Sequence, residues 1–259
     1  MKDSVKDLIE TEKKLYNYEG QDRVMSSHDM AQALREEDKP IQIKSSIPSL
    51  DSYIEGFEGG ELTVISGLTG NGKTLLSQTL TRNFDKQSIK SLWFSYEVMP
   101  ANFLRAFGED LPLFYMPARL TGNSLTWLST RIHEAKLKYN IKAVFVDHLH
   151  FIVEMNRGNM SIEIGHVMRA IKKMALRFNV AFFLIAHTMK VKPDTELGIG
   201  DTRDSSFIEQ EADNVFYIWR TKKERQAILK IAKNRRNGVF EKKITLHKIG
   251  NFLEEIQSV

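Results

Sequence analysis

"ELTVISGLTGNGKTLLSQTL", residues 61–80, decides how this chain folds. An apolar run of strand character breaks into three glycines, a lysine and a threonine, then resumes with helical spacing. The break, Gly67-Leu68-Thr69-Gly70-Asn71-Gly72-Lys73-Thr74, fits G-x-x-x-x-G-K-[ST] in full. Glycines let backbone N–H groups converge on phosphate oxygens without interference from Cβ atoms. The helix that follows, with Leu75 in its first turn, adds the positive end of its dipole. Lys73 reaches toward β- and γ-phosphates, and the Thr74 hydroxyl holds Mg²⁺. The stretch therefore predicts a strand–loop–helix unit that binds ATP or another NTP.

On either side the same alternation continues. Strands are predicted at "LTVIS" (62–66), "SLWFSY" (91–96), "AVFVD" (143–147), "VAFFLIAH" (180–187), "NVFYIWR" (214–220), "AILKIAK" (227–233) and "KKITLHKI" (242–249). Helices are predicted over 73–84, 125–139 and 161–178. The last carries Ile164, Val167, Met168, Ile171, Met174, Ala175 and Phe178 on one stripe, a core-facing pattern. Apolar strands alternating with amphipathic helices give an α/β fold, a mostly parallel sheet covered on both faces. The final third lacks intervening helices, so antiparallel hairpins finish the sheet.

In an open parallel sheet, ligands sit beyond the carboxyl ends of the strands. "SLWFSYE" ends on Glu97, "KAVFVD" on Asp147 and "VAFFLIAH" on His187. All three are thus expected at the edge that carries the phosphate loop. Asp147, after four apolar residues, is expected to bind Mg²⁺. Glu97 is the candidate general base for an attacking water. His187 is placed to hydrogen-bond a γ-phosphate. His148 and His150, flanking Leu149, lack a cysteine or carboxylate cluster and are read as packing or polar loop residues.

The whole chain sets outer bounds. Its 259 residues, 42% apolar, suffice for one full-sized core, and the absence of cysteine excludes disulfides and thiolate metal sites. No apolar run reaches membrane-spanning length, and "MKDSVKDLIETEKK" is too charged for a signal peptide, so a soluble, cytoplasmic protein with no membrane partner is expected. A net charge of +4 leans toward a polyanionic partner. Residues 1–44 are polar and charge-rich and read as an N-terminal linker or arm, either of short helices with Ser27 as a cap, packing on a neighbouring subunit, or partly disordered. Residues 45–259 form the main domain.

Six co-linear segments resemble the RecA-type motor of DnaB-like, superfamily 4 replicative helicases, a family that includes Twinkle and phage primase-helicases. They are "IPSLDSYIEGFEGGELTVISGLTGNGKT", "WFSYEVMP", "VFVDHLHFI", "LIAHTMKV", "GDTRDSSFIEQEADNVFYIWR" and "IAKNRRNG". The resemblance spans roughly residues 44–256 and implies a RecA-like P-loop NTPase core. It implies that Lys73 and Thr74 bind phosphate and Mg²⁺, that Asp147 is the Mg²⁺ aspartate, Glu97 the hydrolytic base and His187 the γ-phosphate sensor. It further implies that Arg235, with Lys233 beside it, acts as an arginine finger in the neighbouring subunit's ATP site, in preference to Arg236. Arg203, Asp204 and Ser206 fall in the DNA-facing loop.

The family assembles as a ring, usually a hexamer, around single-stranded DNA. Residues 154–161, with Arg157, and 190–206, with Lys190 and Lys192, are the candidate DNA loops. Both are polar, cationic and without aromatic residues, which suits backbone contact without sequence readout. The length leaves no room for an N-terminal primase domain, so a primase or other replisome protein is expected as a separate partner, in a bacterial or phage-infected cell rather than a mitochondrion. The expected activity is a DNA-stimulated ATP hydrolase that unwinds duplex in replication. A RecA- or RadA-like recombination ATPase and a KaiC-like ATPase acting on proteins are the alternatives. A small-metabolite kinase would need an acceptor pocket and usually an Arg-rich lid, and the sequence offers neither.

Overall fold

The computed structural model describes residues 2–20, 22–36, 42–152, 160–187 and 205–256. The chain divides into two units, Met1–Pro40 and Ile41–Val259. The first holds α1 (Lys2–Tyr16) and α2 (Ser27–Glu36). The cap of α2 is Ser26, one residue before the expected Ser27. Its hydroxyl accepts from Asp29 N at 3.1 Å and donates to Asp29 Oδ2 at 2.6 Å, so the residue outside the first turn satisfies the orphan donor.

The second unit is built on an eight-stranded sheet in the order β2-β3-β4-β1-β5-β6-β7-β8. Strands β1 (Leu62–Gly67), β2 (Ser91–Ser95), β3 (Ala143–Asp147), β4 (Ala181–His187) and β5 (Asn214–Arg220) run parallel. Strands β6 (Gln226–Asn234), β7 (Lys242–Ile249) and β8 (Phe252–Glu255) complete it antiparallel. Parallel strands covered on both faces have no solvent side. This accounts for the unbroken burial of β1, β2 and β3, whose sequences read as apolar runs rather than as alternation.

Helices α3 (Pro48–Ile54), α4 (Lys73–Asp85) and α5 (Pro100–Arg105) cover one face. Helices α6 (Leu125–Tyr139), α7 (Met160–Phe178) and α8 (Ser205–Glu211) contribute to the other. All seven residues of the predicted α7 stripe are buried there. On the α4 face, Trp93 stacks on Phe145 at 4.8 Å and Phe145 on Phe183 at 4.5 Å, one ring from each of β2, β3 and β4. Phe57 closes the row against Phe183, edge-on at 4.8 Å. This aromatic row crosses the middle of the three strands in register and packs the sheet against the helices on that face.

Candidate functional site

β1 hands the chain to the phosphate loop at Gly67. A Cβ there would lie 2.3 Å from the Ile218 carbonyl oxygen of β5, so only glycine allows the two backbones to approach so closely. Gly72 ends the loop as the N-cap of α4 at φ 101°, the left-handed region that glycine enters without strain. Lys73 is only 5% exposed, and its ammonium donates to the carbonyls of Gly67 at 2.8 Å and Leu68 at 3.0 Å. Burial pulls its pKa down, while Asp147 and Glu97 oppose the shift.

Because β1 to β5 run parallel, their carboxyl ends share one edge. In register, Gly67 stands opposite His187, and Ser95 opposite Asp147. The Thr74 hydroxyl donates to Asp147 Oδ2 at 2.8 Å. Asp147 is 1% exposed, and its other oxygen, Oδ1, has no hydrogen-bond partner among the described residues. Burial raises its pKa to about 6, with Glu97 adding to the shift and the Thr74 hydrogen bond and Lys73 resisting it. Glu97, exposed just past β2, lines a cavity of about 210 Å³ with Thr69, Lys73, Thr74, Leu75 and His187. His187 Nδ1 lies 3.5 Å from Thr69 Oγ1. Burial and Lys73 both hold the imidazole of His187 below its usual range. The edge therefore combines a buried cation, an under-coordinated buried carboxylate and an exposed carboxylate. This set can bind a phosphate chain, hold a divalent cation and accept a proton.

Arg235 stands at the opposite end of the sheet. Its backbone N–H donates to Asp213 O at 2.8 Å, just before β5 begins, and Asp213 in turn donates to Leu62 O at 2.9 Å, at the start of β1. Five residue steps of about 3.3 Å, from Leu62 to Gly67 of β1, separate this level from the phosphate loop, roughly 17 Å in all. The Arg235 side chain is half exposed. Arg236 is folded back instead, donating to the Ile54 carbonyl at 2.7 Å and the Gly56 carbonyl at 2.5 Å and pairing with Glu58. Lys233 donates to Ala212 O at 2.8 Å.

Residues 114–253, more than half of the chain, match the family model described as DnaB-like helicase C terminal domain. The chain belongs to that family. Among its curated relatives, the replicative DNA helicase DnaB of Rickettsia prowazekii strain Madrid E is 25% identical over 232 residues, covering 73% of this chain and 48% of the relative. The chain thus spans about half the length of the curated relatives it matches. Among solved structures, the ATPase domain of G40P superposes with a TM-score of 0.77 at 16% identity, covering 90% of this chain and all of that one. A DnaB-like replicative helicase, described with its interactions with primase, gives 0.76 at 17%, covering 98% and 72%. These two likenesses establish the RecA-like fold expected from the motifs.

Within this DnaB-like site, two residues escaped the sequence reading. Arg220 closes β5 at the loop edge, where its N–H donates to Asn71 Oδ1 at 3.0 Å and its side chain lines the phosphate-loop cavity. Its signal in the sequence is its place as the last residue of "NVFYIWR", the position that Asp147 and His187 hold in their own strands. Arg220 also lines a cavity of about 470 Å³ beside Asn71, Gly72 and Leu75, walled by Thr221, Gln226, Lys248 and Leu253. The other missed residue is His148, read from sequence as packing. It joins Asp147 through a cis peptide, and its ring lies 4.4 Å from that of His187. Side-chain donor atoms of Glu97, His148 and His187 lie within 4.8 Å of one another. Burial, His187 and His150 together hold the His148 pKa down to about 4. Its place one step past a strand end was the available signal. Arg157, Lys190, Lys192, Arg203 and Asp204 lie outside the described residues, and Ser206 falls in the first turn of α8.

Proposed function

We propose that this chain is the ATP-driven motor of a DnaB-like replicative DNA helicase, assembling as a ring, most simply a hexamer, that translocates on single-stranded DNA and unwinds duplex. One observation carries the reading beyond family membership. The candidate nucleotide site lies at the carboxyl edge, whereas Arg235 stands a full strand length away, half exposed at the other end of the sheet. An arginine so placed is out of reach of its own subunit's phosphate loop and is open to a neighbouring subunit's site, as in enzymes whose finger is supplied in trans. The tethering of Arg236 on three carbonyl and carboxylate partners favours Arg235 for that role.

In this reading Gly67, Leu68, Thr69, Gly70, Asn71, Gly72, Lys73 and Thr74 cradle the phosphates of ATP. The 470 Å³ cavity beside Leu75 and Arg220 takes the nucleoside. The orphaned Asp147 Oδ1 and the adjacent Thr74 hydroxyl fit a Mg²⁺ ion, which would neutralise phosphate charge when bound. Glu97 accepts the proton of the attacking water, and His187 hydrogen-bonds the γ-phosphate. The residues 154–161 and 190–206 supply DNA contacts through Arg157, Lys190, Lys192, Arg203, Asp204 and Ser206. A primase is the expected separate partner, and the setting is the cytoplasm.

The test pairs ATPase assays with unwinding of a forked duplex. Turnover stimulated by oligo-dT, strand separation and closed rings by electron microscopy are expected. Turnover indifferent to DNA would remove the helicase assignment, and continuous filaments with strand exchange would replace it with a recombinase.

A further inference from the structure

We propose that Asp213 is a positioning residue for Arg235, holding the guanidinium where a neighbouring subunit's nucleotide can meet it. This rests on the trans role of Arg235 proposed above. β5 and β6 pair antiparallel with Asn214 opposite Asn234, so Asp213 and Arg235 face each other one step beyond the strand ends. The register is fixed there. Asn234 Nδ2 donates to Asn214 Oδ1 at 2.6 Å, and the Arg235 N–H donates to Asp213 O at 2.8 Å. On the side-chain level, Arg235 Nη1 donates to Asp213 Oδ1 at 3.4 Å and Nη2 to Gln210 O at 2.5 Å.

The carboxylate cannot follow the arginine, because its other oxygen is committed. Asp213 Oδ2 accepts from Leu62 N at 2.8 Å and from Lys172 Nζ at 2.6 Å. Lys172 is itself pinned by Gly60 O at 2.8 Å. β1, α7 and the β5–β6 ladder thus converge on one buried anion, 8% exposed, that presents a half-exposed cation. An unrestrained arginine loses substantial rotamer freedom on docking, and a fixed anion at its base removes part of that loss before the subunits meet. Misplacement of such a group by about 1 Å is enough to cost on the order of a hundredfold in rate.

The experiment mixes subunits. Asp213→Asn keeps an oxygen for Leu62 N while weakening the hold on the guanidinium. Alone it is expected to lower kcat about tenfold or more, with nucleotide affinity unchanged. Glu97→Gln subunits carry a dead site and an intact finger. Mixing Asp213→Asn with Glu97→Gln protein is expected to restore turnover above both parents, since the first supplies sound sites and the second sound fingers. Arg235→Ala mixed with Glu97→Gln is the reference.

If the reference mixture recovers and the Asp213→Asn mixture does not, Asp213 acts on its own subunit's fold and the proposal is overturned. If neither recovers, the trans reading of Arg235 fails and this inference falls with it. Wild-type kcat in Asp213→Asn alone also overturns it. Lys172→Met separates anchoring of the sheet from presentation of the finger. It removes one of the two donors on Asp213 Oδ2 and leaves the Leu62 N–H bond and the Arg235 contact, so a smaller loss of kcat than that of Asp213→Asn is expected, rescued in the same mixture. A loss equal to that of Asp213→Asn, not rescued by mixing, would mean a structural role.

Discussion

His148 and Asp147 are neighbours in one buried site, yet acid acts on them in opposite directions. The imidazole of His148 is depressed from 6.5 to about 4, so the stability it contributes is present above 6.5 and is lost as pH falls toward 4. The Asp147 carboxyl is raised from 3.8 to about 6, so its contribution is present below 3.8 and is lost as pH rises through 6. Replacing His148 with Gln removes only the first effect. Between pH 7.5 and 5 the melting temperature of His148→Gln is expected to fall less than that of the wild type, and parallel curves would show that the ring is not held neutral by the fold. Gly67→Ala tests the loop itself. With a Cβ 2.3 Å from the Ile218 carbonyl, the backbone must shift. A destabilisation of about 1–3 kcal/mol in denaturant titrations is expected, together with weakened nucleotide binding.

The longer elements were legible in the sequence, buried or not, because each carries enough residues to show its pattern. β3, β5 and β7 keep the boundaries read from their apolar runs, and α6 runs from Leu125 to Tyr139 as its pattern predicts. Short pieces were not legible, because six or seven residues carry too little period. α3, α5 and α8 are of this kind, and so is the four-residue edge strand β8 in "NFLEEI". Candidate residues were legible as a group at one edge where they lie at or just past strand ends, as Asp147, His187 and Glu97 do. Asp213 was not, since nothing local distinguishes it from a surface acid. Its importance lies in contacts from Leu62 and Lys172, residues 151 and 41 positions away. On the helix side, Ile171→Ala cuts a fully buried side chain from the middle of the α7 stripe. A loss of about 2–5 kcal/mol is expected by urea denaturation, with an unchanged slope. Substituting exposed Leu176 on the same helix is expected to change stability by less than about 0.5 kcal/mol.

For the whole molecule, the sheet has two working ends. The carboxyl edge gathers the phosphate loop, Asp147, Glu97, His187 and Arg220, while Arg235 lies at the amino edge. Arg235→Ala is therefore expected to leave nucleotide affinity within about twofold and to lower turnover by on the order of a thousandfold. Equilibrium binding of a fluorescent ATP analogue and steady-state ATPase rates separate the two quantities, and a matched loss of both would place the arginine in its own subunit's binding site.

β1 is six residues long, grips the phosphate loop at Gly67 and bonds to the anchor of Arg235 at Leu62. In a ring of the proposed kind this strand is a strut between two consecutive nucleotides. Whatever coupling the strand carries between its two ends is equal in both directions, so a neighbour's nucleotide that tightens the phosphate grip is itself held tighter by the nucleotide gripped there. In such a ring β1 is the direct covalent link between one nucleotide site and the next.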